Sequence, residues 1–473
     1  MAETRLQKKC SSGAVGKLRE FCSETTAHGF GRLTSATSAI ERLIWLLCLL
    51  AALTYTLVQG FSLVSEYFSY PVDVKVEMKH AEDLEFPAIV VCNMNALRRQ
   101  ALNEVVKMGQ ITNPIWEQVS QSGSRQQMKS YKRALLASLD NDVKRSIGHQ
   151  AEDFILECNW KGEVCGPENF TWFPNYEYGN CYVFGAENMT QNISAPGNQN
   201  GLSLLLNIEA DEYLGDFSES YGAVVEVTNG EEKFFPEENG YLVAPGQVTN
   251  IGFTARMLKR LNFPFEGTYC GYLGDDSQLP YKYSQMACLK YCVAESQKKE
   301  CGCADIQYSI TPHCNPFNST QGQCVRDVND KIRLSNITCP CNEDCKLFEF
   351  QVSTSSATWP TDGLLARLRS MLGKKASNVT SNLSEARRNL ARVNIYYKSM
   401  TVEVIAQHPR YQFKDLISSV GGSLGLFTGM SLLTLVEFVK LIFDLTRFSC
   451  KKKTSVASPM HHTNEKELEN PCS

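Results

Sequence analysis

Near its C-terminal end the chain reads GGSLGLFTGMSLLTLVEF, residues 421–438, four glycines in an apolar run beside a carboxylate. Gly421, Gly425 and Gly429 recur every fourth residue, so on a helix they share one face and admit a second backbone closely. One reading is plain helix packing. The other is a pore lined by several copies of the segment, with small residues leaving room and backbone carbonyls facing an ion. Glu437 follows the charge-free stretch directly. An ionisable residue at membrane depth is costly unless it meets water or a partner, which makes it a functional candidate. The alternative is that the span ends at Val436 and Glu437 lies among the headgroups.

The elements that must hold this stretch begin with two apolar spans. Residues 43–64 contain no charge and are long enough to cross a hydrocarbon core as a helix. A second charge-free run covers 416–436, and the pore segment is placed at 416–443. Residues 1–42 carry seven Lys or Arg against four acids, and residues 445–473 carry five against three, with Lys451, Lys452 and Lys453 just past the second span. Basic residues at membrane ends favour the cytoplasm. Both tails, 1–42 and 444–473, are therefore expected inside and residues 65–415 outside, in a multi-pass protein of the bilayer. The intervening part is acidic, and a formal net charge of −4 for the chain argues against a nucleic-acid partner.

Cysteine usage agrees. Fourteen of the nineteen cysteines lie between the spans, as an oxidising compartment produces. Seven N-x-S/T sequons, at Asn169, Asn188, Asn192, Asn318, Asn336, Asn378 and Asn382, fall in the same part and none in the tails. Zinc is the rival reading of the dense cysteines at 288–345, but metal ligation needs reduced thiolates, which the cell exterior does not maintain. No metal or cofactor is expected.

Between the spans the pattern is mixed, an α+β class. PVDVKVEM alternates Val72, Val74 and Val76 with Asp73, Lys75 and Glu77, the period of a half-buried strand. VNIYYKSMTVEVIA, before the second span, is also strand-like, and the two strands lead directly into the two spans. Residues 95–157 read as largely helical, 201–256 as strands, and 270–345 as a small unit stapled by bridges. DGLLARLRSMLG and SEARRNLARV predict two further short helices.

These residues carry a resemblance. AHG before the first span, WLLC within it, YFSYP after it, FPAIVVCNMNALR, EVCGPENF, YGNCYVF, the fourteen-cysteine spacing and the pore stretch together resemble the degenerin and epithelial sodium channel family, above all its acid-sensing and peptide-gated branches. The resemblance implies a homo- or heterotrimer in the plasma membrane that conducts sodium ions in preference to potassium, amiloride-sensitive and without enzymatic chemistry. Each subunit has two transmembrane helices and a disulfide-rich ectodomain with a β-sheet palm and knuckle and a helical finger and thumb. The filter falls on Gly429, Met430 and Ser431, with Ser419, Gly422, Gly425 and Glu437 along the pore. His28 and Gly29 match a cytoplasmic gating motif, and Tyr70 and Phe265 the aromatic coupling of ectodomain to membrane. The implied bridges are Cys92–Cys181, Cys158–Cys165, Cys270–Cys345, Cys288–Cys341, Cys292–Cys339, Cys301–Cys324 and Cys303–Cys314. Spacing alone selects no connectivity.

The expected gating ligand is a short extracellular neuropeptide, with protons as the alternative. Acid-sensing members use carboxylates whose mutual repulsion raises their pKa. Glu231 and Glu232, with Asp327 and Asp330, are the candidates, against the alternative that all four are solvated loop residues. Arg326 stands where that branch has an aspartate, and Pro71 and Val72 where it often has histidines, although His80 and His149 remain. Ser419 replaces an acid at the outer mouth, and Met430 a small filter residue. A constitutively active or bile-acid-sensitive member, an ATP-gated trimer and a non-conducting receptor or adhesion ectodomain are the other readings. An ATP-gated channel needs a clustered basic phosphate site, and the sequence shows none.

Overall fold

The structure, a computed structural model, describes residues 14–454 except 109–131, 134, 137–138, 186–190, 215–217, 266–269, 272–281, 309 and 316–317. The chain divides into two compact units, Met1–Val72 with Pro409–Ser473, and Asp73–His408.

In the first unit, a helix at Ala14–Glu24 and a short one at Phe30–Ser35 precede the first span, Ala39–Phe68. The span starts where the Ser38 side chain accepts from the Ile40 N–H, with Glu41 in the first turn, both favourable at a helix N-terminus. It runs beyond the charge-free 43–64 because capping residues extend it. It stops before Tyr70, which has a φ of 50°, and Pro71, which cannot donate to a helix. The second apolar run is two helices, Phe413–Thr428 and Leu432–Thr454, bent by 76° at their junction. Ala39–Phe68 is by itself long and apolar enough to cross a membrane, and the bent pair reaches that length and apolarity together.

The second unit is built on an eight-stranded sheet. Its long strand Gln247–Lys259 pairs antiparallel with Lys346–Thr358 along its full length. Its opposite edge pairs in parallel with Leu390–Tyr397 near the start and with Thr401–Pro409 near the end. Val72–His80 lies next to Thr401–Pro409, so the strands that lead into the two spans are neighbours in one sheet. Leu202–Asn207, Ile155–Trp160 and Glu163–Cys165 complete it. A five-stranded sheet, ordered Tyr241–Val243, Ala223–Thr228, Ala88–Asn93, Gly179–Phe184, Phe170–Asn175, shares the main apolar core, where Ile89, Phe154, Leu204, Phe253 and Tyr397 are fully buried. A third sheet pairs Leu84–Glu85 with Asn192–Ile193.

Three local expectations change. Val74 and Val76 are 61 and 55% exposed, so Val72–His80 is not half-buried within its own chain. Alternation reports a period, and among the described residues none covers that face. The helix expected over 384–393 ends at Asn389, and Leu390 begins a strand, because Leu390, Ala391 and Val393 enter the sheet core and packing overrides helix propensity. Of the helical stretch 95–157, Arg99–Lys107 and Asn141–Ile147 form around a small core of Leu102, Leu135 and Ile147, while 155–157 is already strand.

Residues 285–301 and 319–333 are two helices, capped by Ser284 and by Asn318, whose side-chain oxygens accept backbone N–H bonds. Seven disulfides close the unit: Cys92–Cys181 and Cys158–Cys165 between sheet strands, and Cys270–Cys345, Cys288–Cys341, Cys292–Cys339, Cys301–Cys324 and Cys303–Cys314 around these helices. The pairs are those that the resemblance implies. Cys22 and Cys48 are free thiols.

Candidate functional site: the broken helix pair and the cleft

The break in the second apolar run is two helix caps back to back. Gly429 adopts the left-handed conformation, φ 63°, and its N–H and that of Met430 return to the Gly425 and Leu424 carbonyls, satisfying the last turn of Phe413–Thr428. Ser431 then opens the next helix. Its Oγ accepts from the Thr434 N–H at 3.4 Å, and Thr434 Oγ1 accepts from the Ser431 N–H at 3.1 Å. Gly429-Met430-Ser431 is thus a sharp bend of 76° with irregular backbone between two apolar helices. A Cβ at Gly421 or Gly422 would meet nothing within 4 Å among the described residues, which leave this part of the glycine face uncovered. Ser419 is exposed on the same helix, where its carbonyl accepts from Ser423 Oγ. Gly425 faces the Met430 carbonyl across the bend.

The N-terminal segment closes on this break. The His28 N–H donates to the Thr428 carbonyl at 2.9 Å. The His28 ring lies against Gly429, where a Cβ would come within 2.3 Å of its Cγ. Gly29, with φ 89°, turns the chain into Phe30–Ser35. Just before it, Thr25 Oγ1 and the Thr26 N–H donate to Glu437 Oε2 at 2.9 and 3.2 Å, and Thr26 Oγ1 lies 2.7 Å from the buried Thr434 Oγ1. Phe21 and Phe30 pack on Phe438. The predicted motif, filter and carboxylate therefore converge. Thr25, Thr26 and Thr434 were not singled out from the sequence, because threonine pairs are common and no pattern announces a contact across 412 positions. Tyr55 stacks on Phe427 at 4.5 Å and ties the first span to the broken one.

Tyr70 and Phe265 lie in different units, Tyr70 at a positive φ after the first span and Phe265 half-buried in a turn after Gln247–Lys259. Of the sequons, Asn192, Asn318, Asn336, Asn378 and Asn382 are exposed, Asn169 is half-buried, and Asn188 lies outside the described residues.

The second unit contains a cleft of about 1230 Å³ between the five-stranded sheet, the Asn141–Ile147 helix and the Gln285–Cys301 helix. Glu231 and Glu232 line it, as do Lys282 and Lys290. The four candidate sensing carboxylates do not form one group. Asp327 accepts from Gln323 and Asp330 pairs with Arg333, all four on the Ser319–Arg333 helix. Glu231 is ion-paired with Lys282, which holds its carboxyl below the usual range. Burial, and then the negative Asp344, push Glu232 up to about 7. Burial also raises Asp344, a partner that sequence reading missed because it lies in the turn between Cys341 and Cys345. Lys290 bonds Glu237 and Glu238 at 3.4 and 2.8 Å and stands 5.1 Å over the Phe235 ring. His149 is buried, with Nδ1 2.6 Å from Glu209 and Nε2 3.1 Å from Asn95, whereas His80 is exposed.

The chain is similar to known proteins. The "FMRFamide-activated amiloride-sensitive sodium channel" of Cornu aspersum is 24% identical, over 92% of this chain and 84% of its own length. "Acid-sensing ion channel 4-B" of Danio rerio is 26% identical over 96 and 80%, and the human "Epithelial sodium channel subunit alpha" 26% over 90 and 77%. Among solved structures, a cryo-EM structure of a proton-activated chloride channel matches 85% of this chain at 5% identity and a TM-score of 0.32, too slight a likeness to carry an argument. The family model "Amiloride-sensitive sodium channel" matches residues 21–441, from the helix before His28 to beyond Glu437, and the chain belongs to that family of ion channels, which are not enzymes.

Proposed function

We propose that the chain is one subunit of a trimeric, sodium-selective channel of the plasma membrane, opened by an extracellular ligand. Residues 1–42 and 444–473 are cytoplasmic, 43–64 and 416–443 cross the bilayer, and 65–415 form the ectodomain, with its thumb at about 270–345. Around a threefold axis, Gly429, Met430 and Ser431 form the constriction, Ser419, Gly422 and Gly425 line the pore, and Glu437 lies below. The observation that carries this reading is the capped break at Gly429, next to a glycine face that the described residues leave uncovered. Val74, Val76 and Met78, exposed along an edge strand, are a further apolar row for a neighbouring subunit to cover. Tyr70 and Phe265 couple ectodomain to spans, and the exposed sequons carry glycans.

For the ligand we favour a short neuropeptide bound in the cleft. Lys282 and Lys290 pair with Glu231 and Glu237 there, and a relative is named for activation by FMRFamide. One observation favours protons as the second reading: Glu232, raised to about 7 beside Asp344, changes charge near neutral pH. Voltage clamp of oocytes expressing the chain separates the two. Amidated peptides at constant pH should evoke current and acid steps alone should not; the reverse result would establish proton gating. No current under either condition, with the chain at the cell surface, would favour a non-conducting receptor or an obligate heteromer, which co-expression with family subunits tells apart.

A further inference from the structure

Among the described residues, Glu226 is the one buried carboxylate that neither the pore nor the ion pairs of the cleft use. It interrupts the apolar strand AVVEVT and is 1% exposed, on the face that carries Val90, the Cys92–Cys181 bridge and Phe234. A carboxyl at such a place is costly unless it is hydrogen-bonded, and here it is. Both oxygens accept from the Phe235 N–H, at 3.3 and 3.1 Å, and Oε1 also accepts from Asn239 Nδ2 at 3.3 Å. These donors come from the segment after the strand, 229–239, which supplies Glu231, Glu232, Lys233, Phe235 and Glu237 to the cleft wall. Phe235 is also the ring under Lys290 of the Gln285–Cys301 helix. Side chains also fasten the segment, Glu231 to Lys282, Glu237 to Asn175 and Lys290, and Glu238 to Lys290. Its remaining described backbone bonds are short-range turns, from Glu232 to Asn229 and from Glu238, Asn239 and Gly240 back to Phe235 and Pro236.

We propose that Glu226 is a positioning residue: by clamping the Phe235 N–H and the Asn239 amide it holds segment 229–239 in register and so sets the wall of the ligand cleft. The consequence for ligand response rests on the reading of the cleft given above; the clamp itself does not. An apolar side chain of similar shape removes both acceptors and leaves a buried N–H unsatisfied, whereas glutamine keeps an acceptor for it.

The test is hydrogen–deuterium exchange on the purified full-length chain in detergent, comparing wild type, E226L and E226Q. In E226L, exchange over 229–239 should rise roughly tenfold while strands 88–93 and 179–184 stay as slow as in wild type, and E226Q should restore slow exchange. Unchanged exchange of 229–239 in E226L overturns the clamp. So does faster exchange throughout the five-stranded sheet, which would make Glu226 a general core residue, and so does E226Q behaving like E226L. A second arm uses oocytes with FMRFamide as the probe and surface biotinylation as the control. A higher half-activating concentration in E226L, with wild-type reversal potential, supports the role in ligand response. If exchange changes as expected while activation by the probe does not, the ligand reading of the cleft falls and the clamp stands.

Discussion

Single side chains determine the most sensitive features. Gly429 combines a positive φ with the His28 ring where a Cβ would be, so Gly429→Ala faces a left-handed penalty of about 1–2 kcal/mol in addition to a steric clash. Loss of at least nine-tenths of the current is expected in G429A at wild-type surface level, measured by clamp and biotinylation; wild-type current would refute the close seating of His28. Glu226 gives a pH prediction whose sign follows from burial, which pushes its pKa up to about 7, helped by the nearby Glu237 and Glu232. The unfolded carboxyl releases its proton near the ordinary value of about 4.5. The folded state is therefore penalised progressively as pH rises from there to 7, and by a constant amount above. E226Q escapes this, so it should melt at a higher temperature than wild type at pH 8, by a margin on the order of 1–3 kcal/mol, and the margin should vanish near pH 4.5. Equal melting curves at pH 8 would show that the carboxyl is not held in that environment.

At the level of helices and strands, the unit at 270–345 is held by covalent closure. Cys292–Cys339 and Cys288–Cys341 both tie the Gln285–Cys301 helix to the turn before Lys346–Thr358, closing sequence separations of 47 and 53 residues. Removing one such bridge typically costs about 2–5 kcal/mol. C292S/C339S should lower the melting temperature of the full chain and speed proteolytic cleavage within 270–345, read by limited proteolysis, while the sheet segments remain resistant. Uniform sensitivity along the chain would mean that the bridge supports the sheets as well. The broken helix pair makes a complementary case. Thr25, Thr26 and Thr434 satisfy Glu437 and the first turn of Leu432–Thr454 together, so T25V/T26V should act on the same gating step as E437Q. Their effects on current should be non-additive in a double-mutant cycle; strict additivity would dissolve the network.

The assembled channel is where the uncovered surfaces acquire a role. A face with open glycines and an edge strand exposing Val74, Val76 and Met78 suit a symmetric oligomer. Light scattering of the detergent-purified chain should give three copies per particle, and a monomer would leave those faces unexplained. Replacing external sodium by potassium should shift the reversal potential strongly negative. A negligible shift would remove the selectivity assigned to Gly429, Met430 and Ser431.

Local chemistry made much of this protein legible from residue order. A charge-free run must be helical in lipid because its backbone groups have no other partners, so the helix at Ala39–Phe68 was readable. The residues alone put Gly421, Gly425 and Gly429 on one helical face, whereas the fold ends that helix at Gly429. β-branched alternation revealed the strand at Val72, and β-branched and aromatic content the strands after Val393. Burial, long-range pairing and electrostatic surroundings belong to the tertiary structure, because they depend on which distant residues arrive. Residue order did not reveal that Thr25 meets Glu437, that Glu232 faces Asp344 while Asp327 and Asp330 stay apart, or that Glu226 is buried beneath Phe235. It read Val74 and Val76 as half-buried although the described residues leave them bare. A side chain's type sets what bonds it can make, and the fold sets which partner is within 3 Å and whether water competes for it.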